Sequence, residues 1–176
     1  MRPFIKNQSP RMFKFYLTLL CLLSSQLIAQ IKNPEYKQTI DSLYKKTVPL
    51  ITIEELIKID KYNLYILDTR EEDEFNVSHL KNARQVGNFW FDMRKVYDIP
   101  ANATVVVYCS VGVRSEKIGE KLIAAGYKNV LNLYGGIFEW VNQNHPVYKQ
   151  NGVQTAEIHT YDNNWERWAE RGTRVN

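Results

Sequence analysis

Val105-Val106-Val107-Tyr108-Cys109-Ser110-Val111-Gly112-Val113-Arg114-Ser115 decides the fold of this 176-residue chain. Its first four residues are uncharged, continuous and mostly β-branched, the pattern of a strand covered on both faces. A cysteine follows at once, then a short segment with a glycine and an arginine. From Ser115 to Ala125, Ile118, Leu122 and Ala125 share one helical face, and Gly126 stands where a helix would stop. A buried strand thus runs through a tight loop straight into an amphipathic helix.

The same alternation extends on both sides. Asn33 to Lys46 carries Tyr36, Ile40, Leu43 and Tyr44 at helical spacing, and Pro49 closes that region. Thr52 with Glu55 has the capping-box pattern of a helix start. Leu64 to Leu67 is a short apolar run entering Asp68-Thr69-Arg70, and residues 71–75 suit one or two helical turns. Residues 83–86 suit a short strand, 89–96 a helix, 130–133 a strand, and 137–142 a helix after the Gly135-Gly136 turn. Strands alternating with helices imply an α/β fold with a mainly parallel central sheet and helices on both faces. Ligands on such sheets gather at the carboxyl ends of the strands, which is where Cys109 falls.

The loop from Cys109 has a chemistry of its own. A tight turn between strand and helix directs successive backbone N–H groups inward, and the helix N-terminus adds partial positive charge. Gly112 permits the backbone angles that such a loop requires. Arg114 adds a permanent cation with fork geometry. The loop is expected to favour thiolate over thiol at Cys109 and to hold an anion attached to the sulfur. A buried structural cysteine is the competing reading. His79, His145 and His159 have no ligand spacing among themselves or with Cys109, so no metal site is expected. His79 is expected to be a satisfied structural histidine.

The ordered set Leu67-Asp68-Thr69-Arg70, Glu74-Phe75, Ser78-His79-Leu80, Asn82-Ala83, the Cys109–Ser115 loop and Leu133-Tyr134-Gly135-Gly136-Ile137 with Trp140 resembles the rhodanese (sulfurtransferase) domain family. The likeness covers about residues 50–147. Serine at position 78 is a departure, since many relatives carry glycine there. The resemblance implies a rhodanese-like fold and a persulfide enzyme without metal or organic cofactor. Cys109 would be the nucleophile. Arg114 would bind the anionic donor, and Ser110, Val111, Gly112, Val113 and Ser115 would contribute mainly backbone N–H groups. Asp68 and Arg70 would orient the neighbouring loops through a buried ionic network. The implied partners are a small anionic sulfur donor and a thiol acceptor. Phosphatases of this fold place five residues between cysteine and arginine. Here there are four, which favours sulfur transfer. A binding or sensor module that has kept the fold is the other reading.

Composition is that of a globular protein, 44% hydrophobic and 24% charged. The formal charge of +4 does not signal nucleic acid. Four of the 23 bases (Arg2, Lys6, Arg11 and Lys14) precede residue 30, where there is no acid, and the other 19 balance 19 acids. Residues 15–29 form a short apolar run after this basic segment, which reads as a secretory signal peptide and implies an exported, periplasmic or secreted protein. The run falls short of the about 20 residues of a membrane span, so contact with a membrane is expected only if the leader stays uncleaved. Leu20 before Cys21 argues against a lipoprotein site. Loss of Cys21 with the leader would leave Cys109 alone. The expected organisation is a leader at 1–29, an N-terminal helical extension at 30–49, the domain at 50–147, and a C-terminal extension at 148–176. That last segment, with Tyr161, Trp165 and Trp168, is expected to pack on the domain. A protein partner docking there is the sharper reading.

Overall fold

The computed structural model describes residues 31–175, so the segment expected to be a leader, with Cys21, lies outside the described residues. Five parallel strands build the central sheet in the order β1-β5-β4-β2-β3. They are β1 (Leu50–Ile51), β2 (Leu64–Asp68), β3 (Arg84–Gln85), β4 (Thr104–Tyr108) and β5 (Asn129–Leu133). β4 lies at the centre, and its valines are buried as the uncharged run requires.

The period-two alternation of β4 divides the core. Val105 and Val107 face one apolar cluster with Leu67, Ile118, Leu122 and Val130. Val106 and Tyr108 face a second with Ile40, Ile51, Leu133 and Phe138. Helix α4 (Val113–Ala124) covers the first face with Ile118 and Leu122. Helices α1 (Pro34–Leu43), α2 (Ile53–Lys58) and α5 (Gly136–Asn142) cover the second, and α3 (Glu72–Val77) links β2 towards β3. Asn33 caps α1 by accepting from the N–H groups of Glu35 and Tyr36, and the Thr52–Glu55 capping box opens α2.

Residues 89–96 depart from the expected helix. The chain makes only a 3-10 turn at Met93–Lys95, started by the Asp92 carboxylate accepting from the Arg94 N–H. Phe89 and Trp90 stay exposed, because no element passes over them to reward a helical face. Helix α4 also begins two residues earlier than read, at Val113.

After the last sheet helix the chain forms a hairpin of β6 (Val147–Tyr148) and β7 (Gln154–Thr155). A parallel pair, β8 (Glu157–His159) and β9 (Thr173–Val175), follows, with the short α6 (Asn163–Glu166) between its strands. Ile158, Trp168 and Ala169 are buried in the second cluster, and Trp168 stacks on Tyr36 of α1 at 5.4 Å. The two ends of the described chain thereby hold each other over one face of the sheet.

Trp168 is only 3% exposed, so Trp168→Ala should destabilise the protein by about 3–5 kcal/mol in chemical denaturation.

Candidate active site

Cys109 leaves β4 at the carboxyl edge of the sheet, and the loop 109–112 ends at the N-terminus of α4. All four loop carbonyls are tied outward. Cys109 O accepts from the Ile137 N–H at 3.0 Å and Ser110 O from the Phe138 N–H at 3.1 Å, both from the first turn of α5. Val111 O accepts from the Tyr44 hydroxyl at 2.5 Å, and Gly112 O from the Asn132 side-chain amide at 2.9 Å. A peptide whose carbonyl faces outward turns its N–H the other way. The Gly112 N–H accordingly points at Cys109 Sγ, at 3.1 Å. The loop ends at the first amides of α4, which have no partner within the helix.

Two glycines make this possible. Gly112 has φ of 101°, and a Cβ there would sit 1.9 Å from the Tyr44 hydroxyl oxygen. A Cβ on Gly136 would fall 2.4 Å from Cys109 O and 2.6 Å from Ser110 O. Only a bare backbone lets α5 approach closely enough to hold the loop.

Tyr36 and Tyr44 brace the same structure from the N-terminal extension. Tyr36 donates to Gly135 O at 2.8 Å, and the Tyr44 hydroxyl accepts from the Gly135 N–H at 3.1 Å. Burial pushes both hydroxyls well above their ordinary range, so they remain neutral donors. Buried Glu116 fixes the segment after α1 by accepting from the N–H groups of Lys45 and Thr47.

Arg114, the permanent cation read from the sequence, is paired in the structure. Its Nη1 donates to Glu74 Oε2 at 2.6 Å, and its Nη2 donates to Glu74 Oε1 at 2.7 Å and to Ser110 Oγ at 2.9 Å. Glu74 also accepts from the Glu71 N–H. Burial pushes the Glu74 carboxyl up, but the hydrogen bonds and charge of Arg114 outweigh this and hold it below its ordinary range. The Tyr161 ring lies 4.8 Å from the guanidinium carbon, a cation–π contact.

The remaining loop residues divide their work differently from a simple row of amides. Ser110 acts through its hydroxyl, between Arg114 and Glu74. Val111 and Val113 present side chains to a cavity. Ser115 lies inside α4, where its hydroxyl donates to Asn132 Oδ1 and so fixes the amide that holds Gly112 O. Asp68 and Arg70 form a fully buried pair away from the sulfur, with Arg70 Nη2 on Asp68 Oδ2 at 2.7 Å and on Ser78 O at 2.6 Å. His79 is only half satisfied. Nδ1 meets Leu80 O and the ring stacks on Phe75 at 4.1 Å, while Nε2 is buried without a partner among the described residues.

Cys109 is 1% exposed, yet it lines a cavity of about 250 Å³. Ser110, Val111, Val113 and Arg114 form its floor, and Leu43, Tyr161 and Trp165 its sides. Among the described residues no group of three or more His, Cys, Asp or Glu could hold a metal ion, and no helix is long and apolar enough to cross a membrane.

Sequence reasoning found the loop but missed Glu74, Tyr36, Tyr44 and Asn132. A signal existed for the tyrosines, since a buried phenol needs a hydrogen-bond partner. The others are contacts across 17 to 40 positions in the chain, without local pattern.

Fold and site together define an α/β domain that carries one cysteine in a tight loop at the carboxyl edge of a parallel sheet. A model of the Rhodanese-like domain matches residues 52–143, more than half of the chain, and the chain belongs to that family. It is 31% identical over 101 residues to the thiosulfate sulfurtransferase GlpE of Coxiella burnetii (strain RSA 331 / Henzerling II), over 55% of this chain and 87% of that protein. It is 33% identical over 88 residues to the tRNA uridine(34) hydroxylase of Buchnera aphidicola subsp. Acyrthosiphon pisum (strain Tuc7), over 47% of this chain. It spans only 27% of the length of that relative. The crystal structure of a thiosulfate sulfurtransferase from Pseudomonas aeruginosa shares the fold with a TM-score of 0.55 at 19% identity, over 75% of this chain and 25% of that one. The BH2092 protein of Bacillus halodurans does so with a TM-score of 0.54 at 21% identity, over 68% and 89%.

Removing Glu74 leaves a mostly buried guanidinium unpaired, so Glu74→Ala should cost about 3–5 kcal/mol. The sign with pH is set by the lowered carboxyl. Its contribution is complete above the ordinary value of 4.5 and is lost as pH falls towards the lower folded value. The gap in denaturation free energy between wild type and Glu74→Ala should therefore be constant at neutral pH and shrink on acidification below 4.5.

Proposed function

We propose that this protein is a sulfurtransferase that carries sulfane sulfur on Cys109, from thiosulfate or a persulfide donor to a thiol or cyanide acceptor. The observation behind this reading is the Gly112 N–H directed at Cys109 Sγ on a loop whose carbonyls all face away. A relative 31% identical carries the name thiosulfate sulfurtransferase.

The chemistry runs in two displacements. The Cys109 thiolate attacks the outer sulfur of the donor, forming a new S–S bond as the donor's own bond to that sulfur breaks. The electron pair leaves with the remainder, as sulfite from thiosulfate or as thiolate from a persulfide. The charge on the transferred sulfur is stabilised by Gly112 and the first amides of α4, work of the oxyanion-hole kind worth about 3 kcal/mol per well-aimed donor. An acceptor thiolate or cyanide then attacks that sulfur, and the pair returns to Cys109. Both steps balance without external oxidant or reductant.

Two features weigh against phosphoester hydrolysis. Only four residues separate Cys109 from Arg114. The guanidinium that would have to clasp phosphoryl oxygens already grips Glu74.

Purified protein incubated with thiosulfate, and separately with a low-molecular-weight persulfide, should gain one sulfur atom in the intact mass spectrum. Cys109→Ser should gain none. Absence of any adduct from both donors, with no thiocyanate formed from cyanide, would favour the binding-module reading. Release of phosphate from an aryl phosphate would favour the phosphatase.

A further inference from the structure

The chemistry above sits in a family module, but the sides of its mouth do not belong to that module. Leu43 precedes the matched residues 52–143, and Tyr161 and Trp165 follow them. These three apolar and aromatic side chains converge from both extensions on the cavity over Cys109. Val111 and Val113 complete an apolar lining.

Among the described residues of that lining Arg114 is the one basic side chain, and its charge is already shared between Glu74 and the Cys109 sulfur. Both its terminal nitrogens are engaged by Glu74, a carboxylate that is itself buried. The Tyr161 ring covers the guanidinium face. Ser110 Oγ is held between Arg114 and Glu74, so beside the rings of Tyr161 and Trp165, each with one polar atom, the remaining side chains of the lining offer an anion little. Loop and helix amides can stabilise one negative charge at the sulfur. A sulfonate or carboxylate on the rest of the donor would enter a mainly apolar and aromatic pocket whose described cation is already engaged, at the cost of its hydration.

Resting on the sulfurtransferase reading, we propose that the donor is the persulfide of a small thiol with an uncharged, apolar or aromatic body, in preference to thiosulfate or a persulfide bearing carboxylates. The body would lie between Leu43, Tyr161 and Trp165, with the outer sulfur on Cys109. At roughly 30 Å³ per water-sized group, the cavity of about 250 Å³ has room for about eight non-hydrogen atoms, the size of a benzyl thiol. In the transfer, Cys109–S⁻ and R–S–SH give Cys109–S–SH and R–S⁻. One S–S bond forms, one breaks, the proton stays on the outer sulfur, and the leaving thiolate takes the pair.

The test is the rate of sulfur loading on Cys109, followed by rapid quench and intact mass, with benzyl persulfide, glutathione persulfide and thiosulfate. Benzyl persulfide should exceed each of the others by about tenfold or more in second-order rate constant. Two variants at the mouth report on its walls. Trp165→Ala should slow benzyl persulfide by a larger factor than it changes thiosulfate. Tyr161→Lys replaces a half-exposed ring with an uncompensated cation and should speed thiosulfate while slowing benzyl persulfide. Circular dichroism and a melting temperature close to wild type verify that each variant is folded. Equal or faster loading by thiosulfate in the wild type, or variants that alter no ratio, would overturn the donor class and leave sulfur transfer standing. Failure of every donor to load Cys109 would overturn both.

Discussion

Four carbonyls pulled outward are the constraint on which the site depends. Residues 109–112 form a loop too short to satisfy its own oxygens. Each is met by a group from elsewhere: two amides at the start of α5, a phenol at the end of α1, and a side-chain amide on β5. The energy of each bond is modest, because water would otherwise take its place, but an unmade one in the interior would cost about 1–3 kcal/mol. The chain therefore turns its donor side to the sulfur as a by-product of satisfying its acceptor side. Gly112, Gly136, Tyr36, Tyr44, Asn132 and Ser115 all serve this arrangement, and of these Gly112 hydrogen-bonds the sulfur.

Formal charge plays a different part. Asp68 with Arg70, and Glu74 with Arg114, are buried as neutral pairs. Their value lies in joining segments: the first ties the end of β2 to the turn after α3, the second ties α3 to the reactive loop. Neither leaves a net charge at the mouth. Polarisation at the sulfur comes from the Gly112 peptide dipole together with the nearby Arg114 guanidinium, neither of which changes with pH in the working range.

The sheet and loop were legible because their signals are local. A run of valines marks a central strand, and cysteine, glycine and arginine before an amphipathic helix mark the loop. The strand order places Cys109 at the carboxyl edge without further information. Other parts could not be read this way. Tyr36 and Tyr44 fit an ordinary apolar stripe, and their hydroxyl partners lie 99 and 67 residues away in sequence. Arg114 was legible as a cation but not as a paired one, since Glu74 stands 40 positions before it. The aromatic run at 89–91 suggested a helix because composition does not tell whether anything will cover it.

The walls over Cys109 come from residues on either side of the module, and the parallel pairing of β8 with β9 fixes the final ones in place. Parallel strands need a crossover, so β8 cannot lock until β9 has been made. During synthesis from the N-terminus, the strands, the loop and its glycines are complete well before that closing segment emerges. Cover over the reactive thiol thus depends on residues made after the loop that carries it.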